Sequence, residues 1–237
     1  MQKTKYKYIS ESPQKKGEVQ PSLELPYPEN ADLIDLPAPH TLSKPSITLS
    51  AAIEQRVSVR KYSQQSLTLE ELSFLLWSTQ GIKEVVSRPS TKRTVPSAGA
   101  RHAFETFLLI NNVEGLNPGL YRFISIKHAL LPVDLSENIT SRLTEACMKQ
   151  KMVTTSAITF IWAAITERMT WRYVERGYRY LHLDAGHVCQ NLYLAGEGIE
   201  CGTCAIAAFD DDLLNECLSL DGEDQFAIYV GTIGKKV

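Results

Sequence analysis

The chain has 237 residues, of which 43% are hydrophobic and 22% charged, a composition that fits a globular protein with a substantial core. Its formal net charge of −2 excludes a global electrostatic attraction to nucleic acid or to an anionic membrane. The sequence contains no run of apolar residues long enough to span a bilayer, no secretory signal and an odd number of cysteines, so it predicts a cytoplasmic protein with reduced thiols.

Residues 1–48 differ in composition from the remainder of the chain. Proline, serine, glutamate and lysine are frequent there, and the apolar stretches, such as DLIDLPAPHTL, are short. Because such a segment cannot form a core of its own, it is predicted to be a partly ordered N-terminal arm. It is either a flexible tail or an arm whose leucines and prolines pack on the folded body or on a second subunit. Residues 49–237 are predicted to form one domain.

The elements of this domain are predicted from periodicity and capping residues. Thr68 and Glu71 have the spacing of a capping box, and Gly81 ends the helix that they begin. In chain order, the predicted helices are 47–56 (entered at Ser50), 68–80, 136–148, 179–198 and 210–218, and the predicted strands are 104–111, 120–126, 128–133, 155–165 and 226–233. The order of helices and strands is mixed, so the predicted class is α+β.

The first candidate site is the segment from Arg56 to Arg60. In an extended chain alternate residues point the same way, so Arg56, Ser58 and Arg60 are predicted to face one side. Two guanidinium groups with a hydroxyl between them suit a phosphate, because charge and forked donors converge on it. The alternative is a solvated basic patch after a helix.

Three further segments are candidate sites. The loop 96–99 has small residues that let backbone amides approach a flat ligand, unless it is an ordinary surface loop. The segment 172–180 holds three tyrosines and three arginines, which either wall a planar anionic ligand or form a partly exposed helix start. The turn 207–208 precedes a helix with Asp210 as its cap, where exposed amides favour an electron-rich acceptor. Its alternative is a tight packing turn.

Other motifs carry less functional information. Cys201 and Cys204 have a redox or zinc spacing, but no second pair completes a zinc site, and the pair follows a helix instead of preceding one. His182 and His187 are five residues apart and do not share one helix face well. Buried small residues and core or interface histidines are therefore predicted, and no metal site is predicted.

Taken in order, four segments resemble the nitroreductase-like family of FMN-dependent flavoproteins, and within it the SagB-type dehydrogenase branch, which is related to thiazoline and oxazoline oxidases. The segments are RVSVRKYSQQSLTLEELSFLLWSTQGI, RTVPSAGA with NNVEGLNPGLYRF, WRYVERGYRYLHLDAGHVCQNLYLAGEGIECGTCAIAAFDDD and LDGEDQFAIYVGTIGKK. They cover about residues 50–236. The resemblance implies an α+β fold with a central mixed or antiparallel sheet flanked by helices, and an intertwined homodimer with one FMN at each subunit interface.

The resemblance also implies roles for individual residues. Those expected to bind FMN are Arg56, Val57, Ser58 and Arg60 at the phosphate and ribityl chain, Pro96, Ser97, Ala98 and Gly99 of the partner subunit at the ring, Ala207 and Ala208 at the reducible ring nitrogen, and Gly234 and Lys235 near the phosphate. Arg172 and Tyr173 are the expected catalytic residues, where many members of the branch have Lys-Tyr.

Three departures from the branch bear on the substrate. Arginine stays charged and is a poor proton shuttle, so Arg172 disfavours proton abstraction from an azoline. Arg101 and His102 replace the aromatic residue or Leu-Tyr pair that often follows the loop, which changes the substrate side of the pocket. The sequence shows no counterpart of the extra domain that peptide-handling members often carry, so peptide substrates are not expected.

The expected activity is ping-pong transfer of hydride between NADH or NADPH and a small organic acceptor, with FMN supplying the redox chemistry. One alternative is a flavin-dependent dehydrogenase or oxidase of a heterocycle or modified peptide, and another is a flavin-binding sensor or scaffold without turnover. The expected partners are a second copy of the chain, NAD(P)H and the acceptor, and neither nucleic acid nor a membrane is expected.

Overall fold

A computed structural model describes residues 2–41, 47–86 and 90–237. The strands are β1 (Ile34–Asp35), β2 (Ile82–Val86), β3 (Ser90–Arg93), β4 (Phe104–Ile110), β5 (Gly119–Ile124), β6 (Ala129–Asp134), β7 (Ile158–Ile165), β8 (Cys201–Ile206) and β9 (Gln225–Lys235). The helices are α1 (Leu49–Gln55), α2 (Leu69–Gln80), α3 (Ile139–Ala146), α4 (Lys151–Thr155), α5 (Thr166–Tyr173), α6 (Gly177–Gly198) and α7 (Asp211–Leu218). Short 3-10 helices lie at Gln2–Thr4, Tyr6–Tyr8, Ala98–Ala100 and Val174–Arg176.

An antiparallel sheet forms the centre of the described fold, in the strand order β1-β6-β5-β4-β7-β9-β8. Side chains alternate between the two faces of a strand. In β7, Phe160 and Trp162 therefore join the core on the face covered by α2 and α6, while Ile161 and Ala163 join the core on the face covered by α3 and α7. This two-sided burial is why the sequence of β7 is almost continuously apolar.

The structure confirms the predicted α+β class, with a large antiparallel sheet flanked by helices. Thr68 and Glu71 form the predicted capping box: the Thr68 hydroxyl accepts a hydrogen bond from the Glu71 amide, and the Glu71 carboxylate accepts one from the Thr68 amide. Asp210 caps α7 by accepting a hydrogen bond from the Leu213 amide at 3.0 Å.

The helix boundaries differ from the predictions in two places. Helix α1 is capped by Thr48, whose hydroxyl accepts from the Ala51 amide, and not entered at Ser50. Helix α5 was not predicted at all. A break separates it from α6, because Val174 has φ of 46°, a value that a β-branched residue rarely adopts. The chain continues from α5 through a 3-10 turn into α6 without a side-chain cap at the start of either, so the sequence holds no capping residue that marks the break.

The hairpin of β2 and β3 is also missing from the predictions. Lys83, Glu84 and Val85 are all exposed, so the strand lacks the alternation that sequence reading depends on. The predicted 136–148 helix is shorter in the structure and is followed by the separate α4.

The described part of the N-terminal arm, residues 2–41, packs along the body. Arg168 donates to the Ser22 carbonyl at 2.8 Å, the Leu25 amide donates to Glu105, and Arg122 donates to the Leu25 and Pro26 carbonyls. Strand β1 then pairs with β6. Residues 42–46 of the arm lie outside the described residues.

Candidate functional site

The segment 56–60, called here the basic strip, lies alongside β8. Ser58 forms a parallel bridge with Thr203, and the Val59 amide donates to the Thr203 carbonyl at 2.9 Å. Gly202 makes this approach possible, because a Cβ at that position would lie 2.5 Å from the Val59 side chain. The tertiary fold therefore holds the strip beside β8, the edge strand of the described sheet, through one isolated bridge.

Tyr193 of α6 connects the strip to β8. Its hydroxyl lies 3.0 Å from Ser58 Oγ and accepts a hydrogen bond from the Ala205 amide at 2.9 Å. The Arg56 guanidinium lies 5.3 Å from the centre of the Tyr193 ring, a cation–π contact. Arg56 and Ser58 thus contact one aromatic side chain, as alternate residues of an extended segment do. Arg60 is exposed and donates to the Ser58 carbonyl at 3.4 Å.

The turn at Ala207 and Ala208 follows directly on the last residue of β8, and both alanines are exposed. The Ala208 carbonyl accepts a hydrogen bond from the side-chain amide of Gln150 at 2.8 Å, which holds the turn against the start of α4. Neither backbone amide of the turn donates to another described residue. Both amides are thus available to an electron-rich atom of a ligand.

Lys235 lies at the opposite end of β8 from that turn, because it pairs with Cys201 in the sheet. Its ammonium group donates to the Glu71 carboxylate and, at 2.8 Å, to the Ile199 carbonyl. Gly234 is buried beside it. The Lys235 side chain therefore binds to the capping box of α2 and not to the basic strip. Its contacts do not support the predicted role at a phosphate.

A second cluster joins the loop 96–99 to the end of α5. A Cβ on Gly99, whose φ is 58°, would lie 2.5 Å from the Tyr173 hydroxyl and 3.0 Å from Cδ of Arg172. Only a residue without a side chain allows this contact in a left-handed conformation. The two segments that the sequence presented as separate candidates therefore form one candidate site, lined by the backbone of Gly99, the Arg172 side chain and the Tyr173 phenol.

Asp184 of α6 anchors the loop from behind. The Ala98 amide donates to its carboxylate at 3.3 Å, and Ser97 also forms a side-chain hydrogen bond to it. Burial raises the pKa of Asp184, and these two hydrogen bonds oppose that rise. The loop itself is held by the bond from the His102 amide to Ser97 Oγ at 2.9 Å. Pro96 is the exposed start of the loop.

The two clusters lie on opposite sides of one helix. Asp184, which holds the loop, and Tyr193, which holds the basic strip, are nine residues apart on α6. Nine residues correspond to about 13 Å along the axis and about half a turn around it. Within one chain, the structure brings the strip to the 207–208 turn and the loop to Arg172 and Tyr173, but it does not bring these two clusters together.

Sequence reasoning did not identify Tyr193 and Asp184 as parts of a site. Both are buried on α6 and look like ordinary members of a helix that is apolar around most of its circumference. A signal for Asp184 does exist, since a carboxylate in the middle of such a helix requires donors nearby. No comparable signal exists for Tyr193.

The cysteine motif has a structural role, whereas His182 and His187 are both exposed, so the prediction that they are core residues is wrong and an interface role stays a prediction. Cys201 and Cys204 are both buried, and they belong to the cores on opposite faces of the sheet, which is what the alternation along a strand dictates. Burial raises the pKa of Cys201 to about 12, so its thiol is inert at neutral pH. Among the described residues, no three metal-ligating side chains cluster, and no helix combines the length and apolarity needed to cross a bilayer.

Comparison with known proteins bears on the same region. The family model described as "Nitroreductase family" matches residues 53–235. A protein of Methanocaldococcus jannaschii, MJ1384, which is a nitroreductase by name, is 34% identical over 191 residues, or 81% of this chain and 92% of that protein. The trifolitoxin-processing protein TfxB of Rhizobium leguminosarum is 25% identical over 163 residues, which are 65% of this chain and 44% of that protein. The chain thus spans less than half of that processing protein.

Solved structures give the same result. A protein of Anabaena variabilis superposes with a TM-score of 0.67 at 29% identity, covering 80% of this chain but 38% of that chain. A protein of Ralstonia eutropha superposes with a TM-score of 0.70 at 24% identity, covering 86% and 90%. A protein of Desulfovibrio desulfuricans solved in complex with FMN has a TM-score of 0.56 at 15% identity, covering 81% and 88%. All three carry the nitroreductase name, and the last two show likeness of fold alone.

Proposed function

Because the chain belongs to the nitroreductase family, we propose that it is an FMN-dependent oxidoreductase that transfers hydride from NADH or NADPH to a small organic acceptor. The family expected from the sequence is confirmed, and a processing protein among the relatives agrees with the branch. The cofactor, the electron donor and the acceptor are proposals.

One observation carries the proposal. The basic strip runs beside β8 at Thr203, and the exposed turn with free amides lies four residues further along the chain. At about 3.3 Å per residue, the two are roughly 13 Å apart. A phosphate held at one end and a ring held at the other would be linked by a chain of that length, which is the layout of a flavin mononucleotide.

The residues present fit this cofactor. Arg56 and Arg60 supply positive charge for a phosphate, and Ser58 supplies a hydroxyl. The amides of Ala207 and Ala208 would stabilise negative charge that develops on a reduced ring. FMN, when bound, supplies the hydride chemistry. Arg172 and Tyr173 would orient the acceptor, and the closeness of Gly99 keeps that side of the site narrow.

The proposal includes a homodimer. Since the loop cluster and the strip cluster lie about half a turn apart on α6, a second copy is what would bring a loop 96–99 to a strip. A surface suited to that contact exists. Helix α1 packs against α6 and exposes Leu49 and Ile53, Val57 of the basic strip is also exposed, and Leu183 of α6 is 55% exposed. Several large apolar side chains exposed on neighbouring elements favour a protein–protein interface.

The decisive experiment is an absorbance spectrum of the purified protein, followed by anaerobic addition of NADH or NADPH. We expect a flavin spectrum that one of the nicotinamides bleaches and that a nitroaromatic acceptor restores. Leu183→Asp is expected to produce monomers with weak flavin binding. Leu213→Asp, at a leucine of α7 that is 42% exposed, is expected to leave the dimer and the flavin affinity unchanged. Protein that stays colourless when FMN is supplied would refute the proposal.

A second candidate is a flavin-dependent dehydrogenase or oxidase of a heterocycle. The similarity to TfxB favours it, because the name of that protein describes processing of trifolitoxin. Bleaching of the flavin by a reduced heterocycle, together with no bleaching by either nicotinamide, would favour this candidate over the first.

A further inference from the structure

A cavity of about 140 Å³ lies between the N-terminal arm and the segment 172–176. The arm lines it with Tyr6 and Lys15, and the body lines it with Arg172, Tyr173 and Arg176. A water molecule occupies about 30 Å³ in the liquid, so the cavity has room for a carboxylate and the atoms next to it. It adjoins the Gly99 loop, because Arg172 and Tyr173 belong to both.

The charge of the lining is one-sided. Three of its side chains are cationic, and none of the described lining residues is acidic. Glu11 and Glu175 are near in the sequence, but both are exposed and neither lines the cavity. Arg176 donates to the Thr4 carbonyl and the Tyr180 hydroxyl, which leaves further guanidinium donors for a ligand. Such an arrangement favours a planar anion that accepts forked hydrogen bonds.

The arm is held in place over this cavity by specific contacts. The Arg176 guanidinium lies 4.4 Å from the centre of the Tyr6 ring, and the Tyr6 hydroxyl lies 3.2 Å from that of Tyr180. Further along, the Gln14 amide donates to the Trp171 carbonyl, and the Trp171 indole donates to the Glu18 carbonyl. These bonds flank Lys15 on the sequence and fix its backbone beside the end of α5.

The backbone of the body is strained at the same place. Val174 lines the cavity with φ of 46°. Strain of this kind is costly and persists where the surrounding structure enforces it, often at functional sites. Here the strained residue lies between Arg172 on α5 and Arg176 on the following 3-10 turn. Because the helix is broken between them, both guanidinium groups border the same cavity.

We propose that the N-terminal arm forms one wall of the acceptor pocket, and that Lys15, Arg172 and Arg176 select acceptors that carry a carboxylate. This inference rests on the proposed function and specifies its substrate class. Lys15 acts as a specificity residue: it contributes charge at the pocket and takes no part in hydride transfer.

The test compares benzoate with benzamide, which have the same shape and differ in charge. Binding of each to the purified holoprotein is measured by titration calorimetry, and turnover of 4-nitrobenzoate is compared with that of nitrobenzene. We expect benzoate to bind more tightly than benzamide, and Lys15→Gln to raise its Kd by about fivefold, the upper range for an exposed ion pair. Lys15→Arg is expected to retain binding.

Lys16→Gln is the matched control, because Lys16 is also exposed but does not line the cavity. Equal Kd values for benzoate and benzamide, or the same effect from both lysine variants, would overturn the inference. Failure of the proposed function is distinguishable, because benzoate titration does not require turnover: selective binding in a protein that nicotinamides do not reduce would support the pocket and refute the hydride transfer.

Discussion

The hydroxyl of Tyr193 lies 3.0 Å from Oγ of Ser58, and this contact couples the long central helix to the basic strip. Tyr193→Phe removes it and also leaves the Ala205 amide without its acceptor. We expect a loss of about 1–3 kcal/mol in the free energy of unfolding and about tenfold weaker FMN binding. Urea unfolding and flavin titration measure the two effects.

Tyr121→Phe is the control for that prediction, since the Tyr121 hydroxyl donates to the Asn117 carbonyl far from the strip. It should lower stability without changing the affinity for FMN. Equal effects of the two variants on FMN binding would show that Tyr193 supports the fold and not the cofactor.

The basic strip is expected to determine cofactor affinity by charge. Arg56→Gln and Arg60→Gln each remove a donor pair from the proposed phosphate site, and each is expected to raise the Kd for FMN by about tenfold, the cost of one charged hydrogen bond. Arg142→Gln, which breaks an exposed ion pair with Asp134, is the control. Riboflavin, which lacks the phosphate, should bind all three variants and the wild type alike. If the strip is only a solvated surface, the arginine variants should leave the Kd for FMN unchanged.

Lys235 is expected to act mainly on stability. Lys235→Met would remove the ion-pair partner of the partly buried Glu71 carboxylate, which would keep only its bond from the Thr68 amide, at a cost of about 1–3 kcal/mol. The double variant with Glu71→Met should recover much of that loss, and a double-mutant cycle measures the coupling. Should Lys235→Met instead abolish FMN binding while leaving the unfolding transition unchanged, the lysine would have the phosphate role that the family resemblance implies.

Gly99→Ala tests the contact between the loop and α5. The new Cβ would meet the Tyr173 hydroxyl and would also force a left-handed conformation on alanine, which alone costs about 1–2 kcal/mol. We expect lower kcat/KM and lower stability. Combination with Tyr173→Phe removes the clash with the hydroxyl and should restore part of the stability. If the single variant is as stable and active as the wild type, the loop does not lie against Tyr173.

Acid sensitivity is expected from His102. Burial, together with the nearby Arg93, lowers the pKa of His102 from 6.5 to about 3. Because the unfolded chain takes up a proton below about pH 6.5 and the folded chain does not, this residue lowers stability as the pH falls toward 3, by up to about 1.4 kcal/mol per pH unit. The comparison variant is His102→Asn, because asparagine tolerates the positive φ of this position and has no group that titrates in this pH range.

The measurement for His102 is the urea midpoint of both proteins between pH 7.5 and pH 5. The difference between them cancels the contribution of the other titrating groups. The wild type should lose stability more steeply on acidification, and parallel curves would contradict a buried, neutral imidazole.

By itself, the sequence determined the local features of this protein. The capping box of Thr68 and Glu71, the Asp210 cap and the buried strand β7 each depend on neighbours within a few residues, so periodicity and capping rules predict them. The α+β class and the family followed from the order of such segments. The basic strip and the loop 96–99 were recognised as candidate sites, but only as separate ones.

The tertiary structure alone decided which candidates meet. Pairing of the strip with Thr203, the position of Gly99 against Tyr173 and the ion pair of Lys235 with Glu71 join residues that are distant in sequence. Such contacts depend on strand register and on the path of the chain between elements, which local propensities do not encode. The break at Val174 has the same origin: packing enforces a backbone conformation that valine disfavours by itself, so no reading of the residue predicts it.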